Sequence, residues 1–367
     1  MSFTSEKGEM AVPHRLLIVG AGLTGSVSAA LLRRKFPKEL LDITVWEKSR
    51  GAGGRMNTNR FPGDSKGLSS VDLGAQYISA TSEYYLKSHD RFYQELLSAK
   101  VLVPFKGIIE GEKEAAKHDF TNFVAPSGIN SIVKHFLHSS ESKVSYETHC
   151  NVIDCCEKPG HDGRSRKVWQ VTDLKDNTEE FESVIITIPV PQLLGLKGSI
   201  QDFIESKRLS LENVEYSSRF AVGLYFDVGS KINVPWTCKY VIGDPNLAFL
   251  SVDSRKRFNK DPTDTGPSLL IHASKSFSLK HWDTDQEAVK NLLISHAREL
   301  IPDLPNPIDS RCLRWRYSQV IRGFEGAPGC LILSSSPLLI ACGDAFTHTN
   351  FDGCISSAQS VAKTFSL

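Results

Sequence analysis

Gly20, Gly22 and Gly25 close the apolar run Leu16–Val19 with G-x-G-x-x-G spacing, and Glu47 follows 22 residues after the last of them. Such a turn lets backbone approach a pyrophosphate, and the helix that starts there meets the phosphate charge with its N-terminal amides and positive dipole end. An acid about 20 residues further on stands where a ribose hydroxyl is held. A second glycine loop comes at once, SRGAGGRM from Ser49 to Met56. Gly53 and Gly54 bring another flexible backbone towards the nucleotide. Arg55 adds a fixed planar charge suited to a pyrophosphate or a ring edge. Near the C-terminus the apolar run PLLIACG enters Asp344, and Asn350–Gly353 precedes a helix of small residues, Cys354–Lys363. This repeats the order strand, acid, glycine, helix N-terminus.

Acid–base machinery is scarce by comparison. The sequence shows no metal-ligand spacing, no Ser-His-Asp signature and no C-x-x-C pair. His272, in SLLIHAS, is open to two readings: a contact above a ligand ring, or a hydrogen-bonded core histidine. Tyr77 and Trp315 are candidate pocket walls, with core packing as the other reading for Trp315. Gln76 or Tyr77, after Gly74, is placed to touch a cofactor, and Arg316 is a candidate for a substrate phosphate.

The elements that position these residues follow from the hydrophobic pattern. Leu16–Val19 and Leu41–Trp46 read as buried parallel strands around a helix, Ser26–Lys35, whose basic residues fall in its last turn. Pro37 ends that helix. Val71–Ile78 reads as a strand with Gly74 where a ligand approaches. A helix is expected within Ser82–Leu97, a strand pair in Val101–Glu110 and a helix over Ser127–Phe136. Val144–Ile153 and Lys167–Thr172 read as strands joined by a hairpin tip at Lys158–Arg166, and Ser183–Ile188 as a buried strand. Ile200–Leu211 and Asp283–Leu300 are helical. Arg219–Asp227, Cys238–Ile242, Leu247–Val252 and Ser268–Ala273 alternate as strands of a mostly antiparallel sheet. Asp261–Pro267 is a loop.

Composition bounds the function. The chain has 367 residues, 40% of them hydrophobic, with a formal net charge of +1. That suits two domains and offers no bulk electrostatic pull towards nucleic acid or an anionic membrane. Eight scattered cysteines argue against zinc and thioredoxin-type chemistry and suit a reducing, cytoplasmic setting. No stretch is long and apolar enough to span a bilayer. Leu16–Leu32 imitates the outline of a secretory signal, yet cleaving it would remove the first strand and the phosphate loop together. Export stays open as the alternative. The polar residues 1–12 are expected to form a disordered tail.

Taken together, the glycine motif, Glu47, the GGRM loop and DLGAQY resemble the flavin-containing amine oxidase superfamily. AALLRR (29–34), NFVAPSGINSIVKHF (122–136), ITIPVP (186–191), EYSSRFAVGL (215–224), WRYSQV (315–320) and ACGDAF…NFDGCISSA (341–358) narrow the resemblance to one branch of it. The resemblance spans nearly the whole chain after the tail. It implies an α/β fold: a Rossmann-like three-layer FAD-binding domain (13–80, 122–195 and 336–367) with a second α+β substrate domain (81–121 and 196–335), as in amine oxidases and p-hydroxybenzoate hydroxylase. It implies non-covalent FAD held by Gly20, Gly22, Thr24, Gly25, Glu47, Gly54, Arg55, Gln76, Tyr77, Asp344, Asp352, Gly353, Cys354 and Ile355, with His272, Tyr77 and Trp315 lining the catalytic pocket. The helix after Gly353 would face the flavin N1/O2 edge. The activity implied is oxidation of 2- and 6-dihydro-NAD(P) to NAD(P)+ by hydride transfer to flavin N5, with oxygen reduced to hydrogen peroxide. A flavin amine (catecholamine) oxidase and an extracellular signalling protein without catalysis are the alternatives. The partners implied are small molecules and oxygen, with no metal, nucleic acid or integral membrane association.

Overall fold

The strand His14–Val19 pairs in parallel with Leu41–Trp46 on one side and Ser183–Ile186 on the other, which makes it an interior strand of a six-stranded sheet. Lys143–Ser145 lies beyond Leu41–Trp46, and Leu338–Cys342 beyond Ser183–Ile186, both parallel. Cys330–Ser335 closes that edge antiparallel. Along the first strand, Leu16 and Ile18 enter one core while Leu17 and Val19 enter another. Strands buried on both faces are continuously apolar for this reason. The helix Leu23–Lys35 packs on the first face with Asn130–Ser139 and the C-terminal helix Phe351–Thr364. The other face is covered by an antiparallel meander of Cys150–Pro159, Ser165–Asp173 and Thr178–Phe181, and by short helices from Val190 to Glu212.

A second six-stranded sheet runs in the order Asp309–Arg322, Glu215–Tyr225, Ser268–Ala273, Leu247–Val252, Cys238–Tyr240, Ile109–Glu110. It is antiparallel except for its last pairing. Phe220, Val222 and Leu224 face the helix Gln286–Leu300 in a third core. Ala221, Tyr225 and Leu270 face the first unit through Val71 and Leu73. Gly223 permits that contact, since a Cβ there would stand 3.1 Å from Leu73 and 3.2 Å from Val71.

This computed structural model describes residues 12–62, 69–111, 120–159, 165–260 and 263–367. The expected tail, most of the hairpin tip and the start of the Asp261–Pro267 loop lie outside them. Within them, the expected strand Val71–Ile78 is corrected: Ser70–Asp72 and Ile78–Thr81 are strands, in separate small sheets, and the residues between them form no ladder. Val101–Glu110 is likewise no strand pair, because Val103–Pro104 and Ile109–Glu110 join different sheets. Packing also departs from the expected division at 81–121 and 336. Phe92, Tyr93 and Leu96 of the helix Asp90–Ser98 sit in the same core as Leu16, and Cys330–Ser335 belongs to the first sheet.

Candidate active site

Gly22 sits at the N-cap of Leu23–Lys35 and offers no side-chain hydrogen bond. A Cβ built on Gly22, Gly51 or Gly343 meets nothing within 4 Å. Gly22 thus leaves a trough of open space beside the backbone of that helix N-terminus. Gly20 and Gly25 serve packing instead. Gly20 has φ +108° with Thr187 Oγ1 2.7 Å from its Cβ position, and a Cβ on Gly25 would lie 2.1 Å from the Gly20 carbonyl oxygen. The second loop docks on the first. The Gly53 amide donates to the Ala21 carbonyl at 2.9 Å, and Gly54, at φ +54°, would put a Cβ 3.4 Å from Gly22 Cα. Glu47 ties both loops to the second strand, accepting the Ala21 amide at 2.9 Å and the Ser49 amide at 2.8 Å.

Arg55, expected from the sequence to meet a pyrophosphate or a ring edge, is held in an ion pair. Its guanidinium donates to both oxygens of Asp344, at 2.7 and 2.6 Å, a bidentate geometry. Burial works against that charge, but the Asp344 carboxylate overrides it and holds Arg55 above its ordinary value. The Arg55 carbonyl accepts the Ala75 amide at 3.0 Å. A Cβ on Gly74 would lie 1.9 Å from that same oxygen, so Gly74 is needed for a backbone crossing and not for a ligand. A cleft beside the ion pair is lined by Thr187, Tyr216 and Gly343. Burial pushes the Tyr216 phenol up to about 12.

Much of the C-terminal motif holds the fold. Asn350 caps the helix, its Oδ1 accepting the Gly353 amide at 2.8 Å. A Cβ on Gly353 would meet the His348 carbonyl at 1.8 Å. The Asp352 side chain is 1% exposed. It accepts from His89 Nδ1 at 2.7 Å and the Tyr93 hydroxyl at 3.0 Å. Ile355 is core. Thr24 hydrogen-bonds the Cys354 thiol, which burial and then Asp344 push up to about 12, so it is no thiolate at neutral pH.

The DLGAQY segment carries the other wall. His272 Nε2 donates to the Leu73 carbonyl at 3.0 Å, and Trp315 Nε1 donates to the same oxygen at 3.2 Å. The His272 ring is thereby fixed with its proton on Nε2, and burial, then Arg219, lowers its pKa to about 3. It is neutral and hydrogen-bonded, and it stands on the face of the second sheet that meets Leu73. Tyr77 stacks on Phe105 at 5.7 Å, and its hydroxyl lies 2.6 Å from that of Tyr240. Arg316 is corrected: it is exposed, with its guanidinium 6.0 Å from the Trp282 ring, and a side chain next to Trp315 in a strand points to the opposite face.

Gln76 is directed inward. Its amide donates to the carbonyls of Asp72 (2.5 Å) and Gly74 (2.8 Å) and accepts from Lys256 Nζ at 3.0 Å. Behind it lies a buried cluster that sequence reading missed. Lys256 reaches Asp72 at 3.1 Å and also Asp253, and Arg257 reaches Asp72 at 2.8 Å and Asp253 at 2.7 Å. The helix Asp253–Phe258 thus joins the second sheet to the strand Ser70–Asp72 by charge. The run DSRKR directly after a buried strand was the signal available. Among the described residues no group of three or more His, Cys, Asp or Glu side chains could hold a metal.

Residues 18–96 match the model of an NAD(P)-binding Rossmann-like domain, and residues 89–364 match that of the flavin containing amine oxidoreductases. The chain belongs to the flavin containing amine oxidoreductase family. Among curated proteins it is 41% identical to mouse (Mus musculus) renalase over 350 residues, covering 95% of this chain and 98% of the relative. Among solved structures it superposes, with a TM-score of 0.66 at 14% identity, on an Exiguobacterium sp. 255-15 protein assigned as a protoporphyrinogen oxidase. That match covers 95% of this chain and 98% of the other. The cofactor of this flavin oxidoreductase is FAD. Its residues fit the group: Gly22, whose missing Cβ opens onto space at a helix N-terminus without a side-chain cap, with the Cβ position of Gly54 3.4 Å from its Cα, suits a pyrophosphate. A carboxylate offers about four lone-pair sites, so Glu47 retains acceptor capacity for a ribose hydroxyl after taking two amides. No helix among the described residues is long and apolar enough to cross a membrane.

Proposed function

We propose that this flavin oxidoreductase converts 2- and 6-dihydro-NAD(P) to NAD(P)+, with oxygen reduced to hydrogen peroxide. The observation that carries the reading is the wall around the Leu73 carbonyl. Its closest groups are Trp315 and a His272 that stays neutral down to about pH 3. Removing hydride from a dihydropyridine makes the ring aromatic and needs no side-chain base, and this wall of Trp315 and a neutral His272 already donating to Leu73 supplies none. Bound FAD supplies the hydride acceptor and the route for electrons to oxygen.

The chain's own residues divide the remaining work. Gly22, Gly54 and Glu47 hold and orient the dinucleotide, and Asp344 locks Arg55 so that the three cofactor loops share one geometry. Trp315, Tyr77 and His272 orient the nicotinamide ring, and the buried sheet face behind them excludes water. The single proton consumed per turnover (dihydro-NAD + O2 + H+ giving NAD+ + H2O2) comes from solvent. Discontinuous FAD-binding and substrate domains, with the helix Asp90–Ser98 and strand Cys330–Ser335 packed on the former, complete this reading.

The test is product stoichiometry with purified protein and the 6-dihydro isomer of NAD. One NAD+ and one hydrogen peroxide per substrate support the proposal. Peroxide from a catecholamine, with none from the dihydronicotinamide, would move the assignment to amine oxidation.

A further inference from the structure

Arg219 stands on the same sheet face as the proposed ring site without a partner. It pairs across strands with Trp315, and Ala221, two residues on, pairs with His272. Phe220 faces the third core, so Arg219, Ala221 and Tyr225 face the first unit with Leu73 and Trp315. Arg219 is half-buried, and among the described residues it makes no hydrogen bond or ion pair; its Nε is buried without an acceptor. A guanidinium N–H withdrawn from water, as at Arg219 Nε, is costly unless an anion or acceptor oxygen meets it. Arg15, Arg55 and Arg257 each have a carboxylate, and Arg255 has three backbone carbonyls.

We propose that Arg219 is the anchor for a phosphate of the substrate, and that it makes the enzyme select an anionic dinucleotide over neutral or cationic ring compounds. Directly opposed residues on one sheet face have Cβ atoms about 5 Å apart. A nicotinamide ring packed on Trp315 with its substituent towards Arg219 brings a phosphate within reach of the guanidinium. A planar fork matches phosphate oxygens in pairs. The cofactor's own pyrophosphate is not the partner, because it is accounted for by the trough at Gly22. A cationic amine would meet repulsion here. Burial lowers the pKa of Arg219, the direction expected of a guanidinium without a counter-ion. This inference rests on the dihydronicotinamide reading, which names the ring that lies against Trp315.

The experiment compares holoenzyme with Arg219→Met and Arg219→Lys on two substrates: 6-dihydro-NAD and the corresponding 6-dihydronicotinamide riboside, which has no phosphate. The quantity read is the ratio of kcat/KM for dinucleotide over riboside. The ratio is expected to fall by roughly 10- to 100-fold in Arg219→Met, mainly through KM, and to recover partly in Arg219→Lys. A retained ratio, whether both substrates weaken together or neither does, would overturn the proposal; weakening together would place Arg219 on the flavin instead. Titration with ADP-ribose, read by the flavin difference spectrum, keeps the test independent of turnover. Saturation in wild type and its loss in Arg219→Met supports the anchor even if neither dihydronicotinamide is oxidised. Equal binding by both proteins contradicts it.

Discussion

His272 and Trp315 donate to one oxygen, the carbonyl of Leu73, from strands on opposite sides of Glu215–Tyr225. Leu73 begins a stretch without ladder partners between Ser70–Asp72 and Ile78–Thr81. A carbonyl has two lone pairs, and here both are taken by side chains of the second sheet. The segment beside the proposed ring site is thus positioned by the opposite unit.

A pH dependence follows. The folded pKa of His272 is lowered from 6.5 to about 3, so between those values the unfolded chain binds more protons than the folded one. Its contribution is fully present above pH 6.5 and is lost as pH falls towards 3. His272→Gln removes that titration. Urea denaturation at pH 7.5 and pH 5 will show a smaller acid loss of stability in the variant than in wild type; equal acid losses would contradict the buried neutral imidazole.

Two glycines of one motif behave oppositely on substitution. Gly22→Val places its side chain where the fold has open space, so the protein folds but does not retain FAD. Gly25→Val meets the Gly20 carbonyl at 2.1 Å from the Cβ alone, so it destabilises the chain itself. Thermal unfolding with and without added FAD separates the two. Flavin retained by Gly22→Val would mean that the trough is not the pyrophosphate site.

Breaking the Arg55–Asp344 pair leaves a carboxylate that is 4% exposed without its cation. Arg55→Met is expected to cost about 3–5 kcal/mol, read by urea denaturation at saturating FAD. The double variant Arg55→Met with Asp344→Leu is expected to cost less than Arg55→Met alone, since no unpaired charge remains. Additive losses would show that the two residues act separately.

Lys256→Met is expected to destabilise by a similar amount, about 3–5 kcal/mol, because Asp72 and Asp253 lose a shared buried cation. The loss should vary little with added salt, since buried pairs are screened weakly. Burial alone would raise the Asp72 pKa, but Arg257 and Lys256 hold it below the usual carboxylate range. That stabilisation is therefore present above about pH 4 and is lost as pH falls further. A salt-sensitive loss would place the cluster in water.

The sequence made strands that are buried on both faces legible, in the parallel sheet and in the antiparallel one: Leu41–Trp46, Leu247–Val252 and Ser268–Ala273 were bounded to the residue. The nearness of Gly22, Gly54 and Glu47 to one another was legible too, since their spacing follows from the local path of a strand, a turn and a helix. The side-chain partners of Asp352 and Gln76 were not legible, since they are set by elements far away in the chain, at His89 and Lys256. Arg219 was hidden in EYSSRFAVGL. Only the observed register, which sets Phe220 against one core and Arg219 beside Trp315, marks it as inward-facing.

The most direct test of the central claim is an anaerobic stopped-flow comparison of flavin bleaching. The 6-dihydro isomer of NAD and a catecholamine are mixed separately with the same holoenzyme, and the loss of oxidised-flavin absorbance is followed. The account predicts reduction by the dihydronicotinamide far faster than by the amine. Faster reduction by the amine would contradict it.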